Sequence, residues 1–200
     1  MIAYFNQYWQ TRNDVIANGY YRKIVNIISS NEFVVQDFFV DSNQKQSDPY
    51  IITNSFELNQ AVVLRSIIGG YLAWYENGQP KFKGFYKQGK KNVSWAEWYE
   101  NGQLAIRGIY ANGVLEGTWI ACNSKGEKLS EGSYKANKRI GTWRYYVAGK
   151  KWAEGNYTNG LQNGVWAYWK QDGSKDREIL YQNGQIINNY GGGAKLLKGQ

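Results

Sequence analysis

Three glutamates, Glu131, Glu154 and Glu178, recur at steps of 23 and 24 residues. Paired carboxylates are what glycoside hydrolysis uses, one as acid and one as base or nucleophile, roughly 5–10 Å apart. The two preceding copies of the same position hold Lys83 and Arg107, so the spacing belongs to a repeating strand rather than to a tuned acid–base pair. An open sheet face also lacks the enclosed pocket that raises a general acid's pKa. These carboxylates therefore read as a solvated face. Histidine is absent, which removes the commonest general base and the commonest metal ligand. The single cysteine, Cys122, can form neither a zinc cluster nor an internal disulfide. It stands where other copies of the repeat have Trp or Tyr, and reads as a buried substitute for a ring. No nucleophile elbow, Walker loop or dinucleotide fingerprint occurs, and Gly191–Gly193 follow the repeats instead of opening a helix. The expectation is a chain with no catalytic residues, no cofactor and no metal, and so not an enzyme.

The elements that would carry these side chains are written in a repeat. The string WYENGQ occurs at 74–79 and again at 98–103. Turn glycines fall at Gly78, Gly102, Gly126, Gly149 and Gly173, in steps of 24, 24, 23 and 24. A Gly-x-Tyr mark recurs at 84–86, 108–110, 132–134 and 155–157, and a Gly-x-Trp mark at 117–119, 141–143 and 164–166. Three marks in one phase define an internal repeat of about 23–24 residues. Asn-Gly in ENGQ, and again in ANGV, TNGL and QNGQ, supplies the two positive-φ positions of a type I′ hairpin turn. About eight residues separate the turns, the length of an ordinary strand, and a 3.6-residue period is missing. The predicted fold is all-β, an elongated antiparallel β-meander of repeated hairpins.

Residues two apart on a strand share a face. One column therefore runs Tyr71, Trp95, Trp119, Trp143 and Trp166, and the other side carries Trp74, Trp98, Cys122, Tyr146 and Trp169. Mid-strand Gly84, Gly108, Gly132 and Gly155 weaken a strand unless something covers them, and a neighbouring ring lying over the bare backbone is the natural cover. Most of the rings are thus read as the core of a thin sheet.

The segments WYENGQLAIRGIYANGVLEGTW (98–119) and WRYYVAGKKWAEGNYTNGLQNGVW (143–166) resemble MORN repeats, in particular the bacterial variant of the YwqK family of antitoxins. The resemblance covers residues 69 to about 190. It implies a MORN-like repeat sheet of about five units that serves as a scaffold or binding surface. A similar YYR leader often precedes the repeats in bacterial members of that family.

Residues 1–68 have another texture and are read as an N-terminal β cap with one degenerate unit: Phe38-Phe39 echo Trp74-Tyr75, Lys45 echoes Lys81 and Tyr50 echoes Tyr86. Strands are expected at 19–28 and 32–40, joined by Ser-Ser-Asn. Residues 191–200 begin with three glycines and read as a flexible tail. The start MIAYFNQYWQTRND has no charged leader followed by an apolar core, and no run approaches 18 apolar residues. The compartment read by default is cytoplasmic, with export open to a chain whose leader has been removed.

Charge is uneven. Residues 1–68 carry five basic and six acidic side chains, whereas residues 69–190 carry 17 and 10. With no catalytic constellation, function falls to surface residues that differ between units. The expected surface is Phe85, Arg107, Ile109, Arg144 and Trp152, placed on the face opposite the Trp95 column. A protein partner is expected, a toxin in an antitoxin or immunity role or a scaffolded protein. The alternative is an anionic membrane surface or a cell-wall carbohydrate, held by basic and aromatic side chains. Nucleic acid ranks below these because no reading motif accompanies the basic charge.

Overall fold

The computed structural model describes residues 2–5, 10–12, 17–59 and 66–191. The chain is all-β, an antiparallel meander of consecutive hairpins, with no α-helix among the described residues. It forms two compact units, residues 1–103 with 110–113 and residues 104–109 with 114–200, so their division falls inside the repeat array.

The first unit contains β1 (Ile2–Phe5), β2 (Thr11–Arg12), β3 (Tyr20–Ser29), β4 (Glu32–Phe39), β5 (Tyr50–Ile52), β6 (Ile67–Trp74), β7 (Pro80–Lys87) and β8 (Lys90–Trp98). They lie in the order β8-β7-β6-β5-β4-β3-β1-β2. The expected strands at 19–28 and 32–40 are β3 and β4, and a short 3-10 helix, Ser55–Asn59, follows β5. Residues 6–9 and 13–16, within the ambiguous opening, and 60–65, within the link to the array, lie outside the described residues, as do residues 192–200 of the tail. Phe33, Val35, Tyr50, Ile52, Ile67 and Trp95 are buried together. Tyr71 packs edge-on against Tyr50 at 5.2 Å and Tyr86 at 5.7 Å.

β9 (Leu104–Ala111) is shared between the units. The second unit continues with β10 (Val114–Cys122), β11 (Lys128–Lys135), β12 (Lys138–Val147), β13 (Lys150–Thr158), β14 (Leu161–Trp169), β15 (Lys175–Gln182) and β16 (Gln185–Gly191). Each pairs with the next in antiparallel register. Glycine and ring fit as expected. A Cβ built on Gly132 would lie 2.3 Å from Trp143 Cδ2, and one on Gly155 2.3 Å from Trp166 Cδ2. The indole N–H groups are satisfied too, Trp143 donating to the Ser133 carbonyl and Trp166 to that of Asn156, both at 3.1 Å. The column ends at β15, where Ile179 stands in the glycine's place and Asn189 of β16, not a ring, lies opposite.

The turns divide into two kinds, which corrects the type I′ reading of ENGQ. Asn112-Gly113, Asn159-Gly160 and Asn183-Gly184 have positive φ at both residues, as a type I′ turn requires. In the ENGQ turns only Gly78 and Gly102 do. There the asparagine side chain accepts a backbone N–H two residues on, Asn77 from Gln79 at 3.0 Å and Asn101 from Gln103 at 3.1 Å, which stabilises a longer loop. The single 23-residue step now has a cause. Ala148-Gly149, both at positive φ, make a two-residue turn where the other copies have the longer one. The Gly-x-Trp glycines Gly117, Gly141 and Gly164 also sit at positive φ, and the equivalent in β8 is Val93 at φ 53°. A β-branched residue there costs on the order of 1–2 kcal/mol.

Burial and hydrogen bonding of phenols matter at high pH. The Tyr86 phenol is pushed up to about 12, by burial first and then by Glu97. Tyr146 is pushed up to about 12 by burial and by its hydrogen bond to Glu131. Raised phenols contribute stability that is fully present below the ordinary value of 10.0 and is lost as pH rises towards about 12. Near-ultraviolet titration should show a class of phenols, Tyr86 and Tyr146 among them, that stays un-ionised beyond pH 10 until the fold gives way. One smooth titration of all tyrosines at the ordinary value would contradict this.

Candidate interaction surface

The two faces of the second unit differ in chemistry. On one, Trp143, Trp166, Tyr168 and Ile179 are buried together. Tyr134 and Tyr157 stand edge-on to Trp143 at 5.1 and 6.1 Å. Tyrosine hydroxyls pair across strands on this face, Tyr145 with Tyr157 at 3.1 Å and Tyr168 with Tyr181 at 3.3 Å. The Arg139 guanidinium lies 4.9 Å over Trp143, and that of Arg177 lies 5.1 Å over Tyr168.

The opposite face carries the glutamates. Register runs Glu131 to Arg144 to Glu154 to Ala167 to Glu178 across five strands. Each glutamate has a lysine three residues before it: Lys128 with Glu131 at 2.7 Å, Lys151 with Glu154 at 3.3 Å, and Lys175 with Glu178. Arg144 adds a 2.8 Å bond to Glu154, and the Tyr146 hydroxyl donates to Glu131 at 2.6 Å. The Lys128 and Tyr146 hydrogen bonds hold the Glu131 carboxyl below its usual range. Burial pushes Glu154 up, but its Arg144 and Lys151 partners pull it further down. Glu131 and Glu154 are two strands apart, about 9–10 Å along the hydrogen-bonding direction, which alone would suit an inverting glycosidase. Yet a general acid needs a raised pKa, and both carboxyls move the other way. The lysines are legible in the sequence as Lys-x-x-Glu at 128–131, 151–154 and 175–178, a signal that the glutamate spacing alone passes over.

The five expected contact residues do not form one patch. Phe85 is exposed on β7 opposite Asn92, in the first unit. Arg107 and Ile109 are exposed on β9, where Ile109 Cβ would lie 3.3 Å from a Cβ on Gly117. Arg144 is exposed on the glutamate face, already engaged by Glu154. Trp152 lies on the ring side instead of opposite it. Where β12 meets β13, Tyr145 pairs with Ala153 and Tyr146 with Lys151, leaving Trp152 as the extra residue of a bulge. The bulge resets the alternation and brings Trp152 edge-on to Tyr168 at 5.6 Å. Lys81, Leu129 and Asp176 are the equivalent extra residues of their hairpins. Trp152 remains 44 % exposed, and Leu129 42 %. Cys122 is buried, in keeping with a ring's substitute.

Compared with known proteins, the chain matches no protein-family model and no curated protein sequence.

Proposed function

We propose that this chain is a non-enzymatic repeat module for protein–protein interaction, an antitoxin, immunity protein or scaffold whose partner docks on the ring side of the second unit. The observation that carries the proposal is the cluster of Trp152, Tyr168 and Arg177. An exposed indole stands edge-on to Tyr168, and Arg177 lies over the same tyrosine. Trp, Tyr and Arg are the residue types that dominate binding energy at protein interfaces. Here they are presented on a buried layer of rings, so little side-chain freedom is left to lose on binding. The resemblance to bacterial MORN-variant antitoxins makes a toxic protein the sharpest form of the proposal.

Capture from lysate of the source organism tests it. The immobilised chain should retain a stoichiometric protein, and Trp152→Ala should weaken retention by about 30-fold, as expected of an interface hot spot. Arg144→Ala should leave capture unchanged, because its guanidinium is engaged by Glu154 on the other face. Undiminished capture by Trp152→Ala would remove the ring side from contention. Salt-sensitive retention of anionic lipid alone, with no protein, would move the reading to a membrane-surface role.

A further inference from the structure

We infer that the first unit carries a binding pocket for an alkyl guanidinium, the chemistry of an arginine side chain, set between the ends of β3 and β4 and the β6–β7 loop. Asn18, Gly19, Tyr20, Phe39, Asp41 and Glu76 line a cavity of about 270 Å³. Small-molecule sites usually run from roughly 300 to 1,000 Å³, so this one suits a ligand the size of a side chain. All six residues belong to the first unit.

Local structure fixes each wall. Tyr20 opens β3 and Phe39 closes β4, and the register sets them opposite each other, their rings 5.5 Å apart and tilted by 53°. Beside them the Val40 N–H donates to the Gly19 carbonyl at 3.0 Å and holds the two chain segments together. Asn18, at φ 57°, adopts the left-handed conformation that asparagine tolerates, and its N–H donates to Asp41 Oδ2 at 2.7 Å. That bond holds the first carboxylate in place. Glu76 supplies the second from a loop tied by the Tyr75 N–H to the Gln79 carbonyl and by the Asn77 side chain to the Glu100 carbonyl, both at 2.8 Å. Two rings and two acids thus line one preformed cavity.

Charge selects a cation as the ligand. Asp37, Asp48, Glu97, Glu131, Glu154 and Glu178 each hold a lysine or arginine, whereas Asp41 and Glu76 hold none among the described residues. Cations are not scarce, since the chain has 24 basic and 16 acidic side chains. The lysines nearest in sequence are engaged: Lys45 is bonded to Asp48 at 2.8 Å and lies 4.1 Å over Trp74, and Lys81 lies 5.2 Å over Tyr75. No lysine or arginine occurs between Arg12 and Arg22. The Tyr20 phenol is held above its usual range by burial first and then by the Glu76 charge, so ring and carboxylate already act on one another. A guanidinium meets both kinds of wall. Its plane stacks on aromatic faces, its N–H fork suits carboxylates, and it sheds water more readily than an ammonium does. A hard metal ion such as calcium wants six or more oxygen ligands instead, and no group of three or more His, Cys, Asp or Glu side chains placed to hold one occurs among the described residues.

Titration calorimetry of the full chain at low salt is the test. Ethylguanidinium should bind with a Kd of about 1 mM. Glu76→Gln and Asp41→Asn should each weaken binding by about 10-fold, the loss of a charge-assisted hydrogen bond, and the double variant should bind beyond detection. Both side chains are exposed and both changes keep their shape, so the melting temperature should not move. Tetramethylammonium, a charge without N–H groups, and butylammonium, a more strongly hydrated point charge, should each bind at least about 5-fold more weakly. A capped Gly-Arg-Gly peptide that binds more tightly than ethylguanidinium would mark the arginine of a protein segment as the ligand, and equal affinities would mark a free guanidinium compound. Silence with both guanidinium probes up to about 20 mM overturns the inference. So does binding that is unchanged in the double variant, or equal binding of either amine. Calcium binding that excludes ethylguanidinium would overturn it in favour of a metal site. Trp152 lies in the other unit, so the partner-docking proposal is judged separately.

Discussion

Gly132→Ala should destabilise the second unit by about 3 kcal/mol, although it adds one methyl group to a strand. The added Cβ would lie 2.3, 2.4 and 2.6 Å from Cδ2, Cε2 and Cγ of Trp143. Carbon atoms in contact sit about 3.5–4.0 Å apart. Flexible side chains can give way to such an intrusion, but this indole cannot. Trp143 is 1 % exposed, wedged between Tyr134 and Tyr157 and tied by its N–H to the Ser133 carbonyl. Displacing it would disturb the neighbouring rings, and in a repeat array such losses pass along the interfaces between units. Gly155→Ala should behave alike through Trp166. Gly70→Ala is the control: among the described residues no atom of a non-neighbouring residue lies within 4 Å of its Cβ, and its φ is not left-handed. That change should be neutral, or stabilise by roughly 0.5 kcal/mol by restricting the unfolded chain. Denaturant unfolding of the three variants decides the matter. Equal midpoints for Gly132→Ala and Gly70→Ala would mean that the rings do not lie on the glycines.

This coupling was legible in the sequence because both partners repeat. Gly84 and Trp95, Gly108 and Trp119, Gly132 and Trp143, and Gly155 and Trp166 are each eleven residues apart. A pair that recurs at constant offset across a hairpin must meet in space, so a single chain carries the information that an alignment would otherwise supply. Strand boundaries and ring columns were legible for the same reason. Two features were not. Asn-Gly occurs in both kinds of turn, so its presence cannot tell the ENGQ loop from the type I′ turn; the asparagine side-chain bonds and the number of residues between the paired strands do. The side on which Trp152 points is not legible, because Trp152 is itself the extra residue of a bulge and simple alternation gives it the wrong parity. The proposed contact residue Trp152 sits at a bulge position that Lys81, Leu129 and Asp176 fill in three other hairpins, so the residue type there carries no repeating signal.

The polar core of the first unit was hidden more deeply, and it sets the second large effect. Asp37→Ala should cost about 3–5 kcal/mol. Asp37 is 1 % exposed and Arg22 2 %, and they form a two-pronged pair, Nε to Oδ1 at 2.7 Å and Nη2 to Oδ2 at 3.1 Å. The Tyr50 hydroxyl donates to Oδ2 at 2.6 Å, and the Asp37 N–H donates to the Ser47 hydroxyl at 3.0 Å. The guanidinium lies 5.3 Å over Phe5 and 5.8 Å over Tyr50. Burial pulls the Arg22 guanidinium down, but Asp37, with smaller help from Tyr50 and Tyr71, more than reverses this, so it stays charged. Without the carboxylate, a cation remains in a site with almost no access to water, and Tyr50 loses its acceptor. Arg22 precedes the degenerate unit and Asp37 opens it, with Ala73 at the matching place 36 residues on, so nothing in the spacing linked them, and each alone looks like an ordinary surface charge. If burial of the lone charge is the cause, replacing both partners should relieve it. Arg22→Met with Asp37→Leu should recover most of the loss, because buried ion pairs often contribute little beyond well-packed apolar side chains. A double-mutant cycle by denaturant unfolding reads the coupling directly. A double variant as unstable as the sum of the single changes would show that the pair, and not the unpaired charge, holds the first unit together.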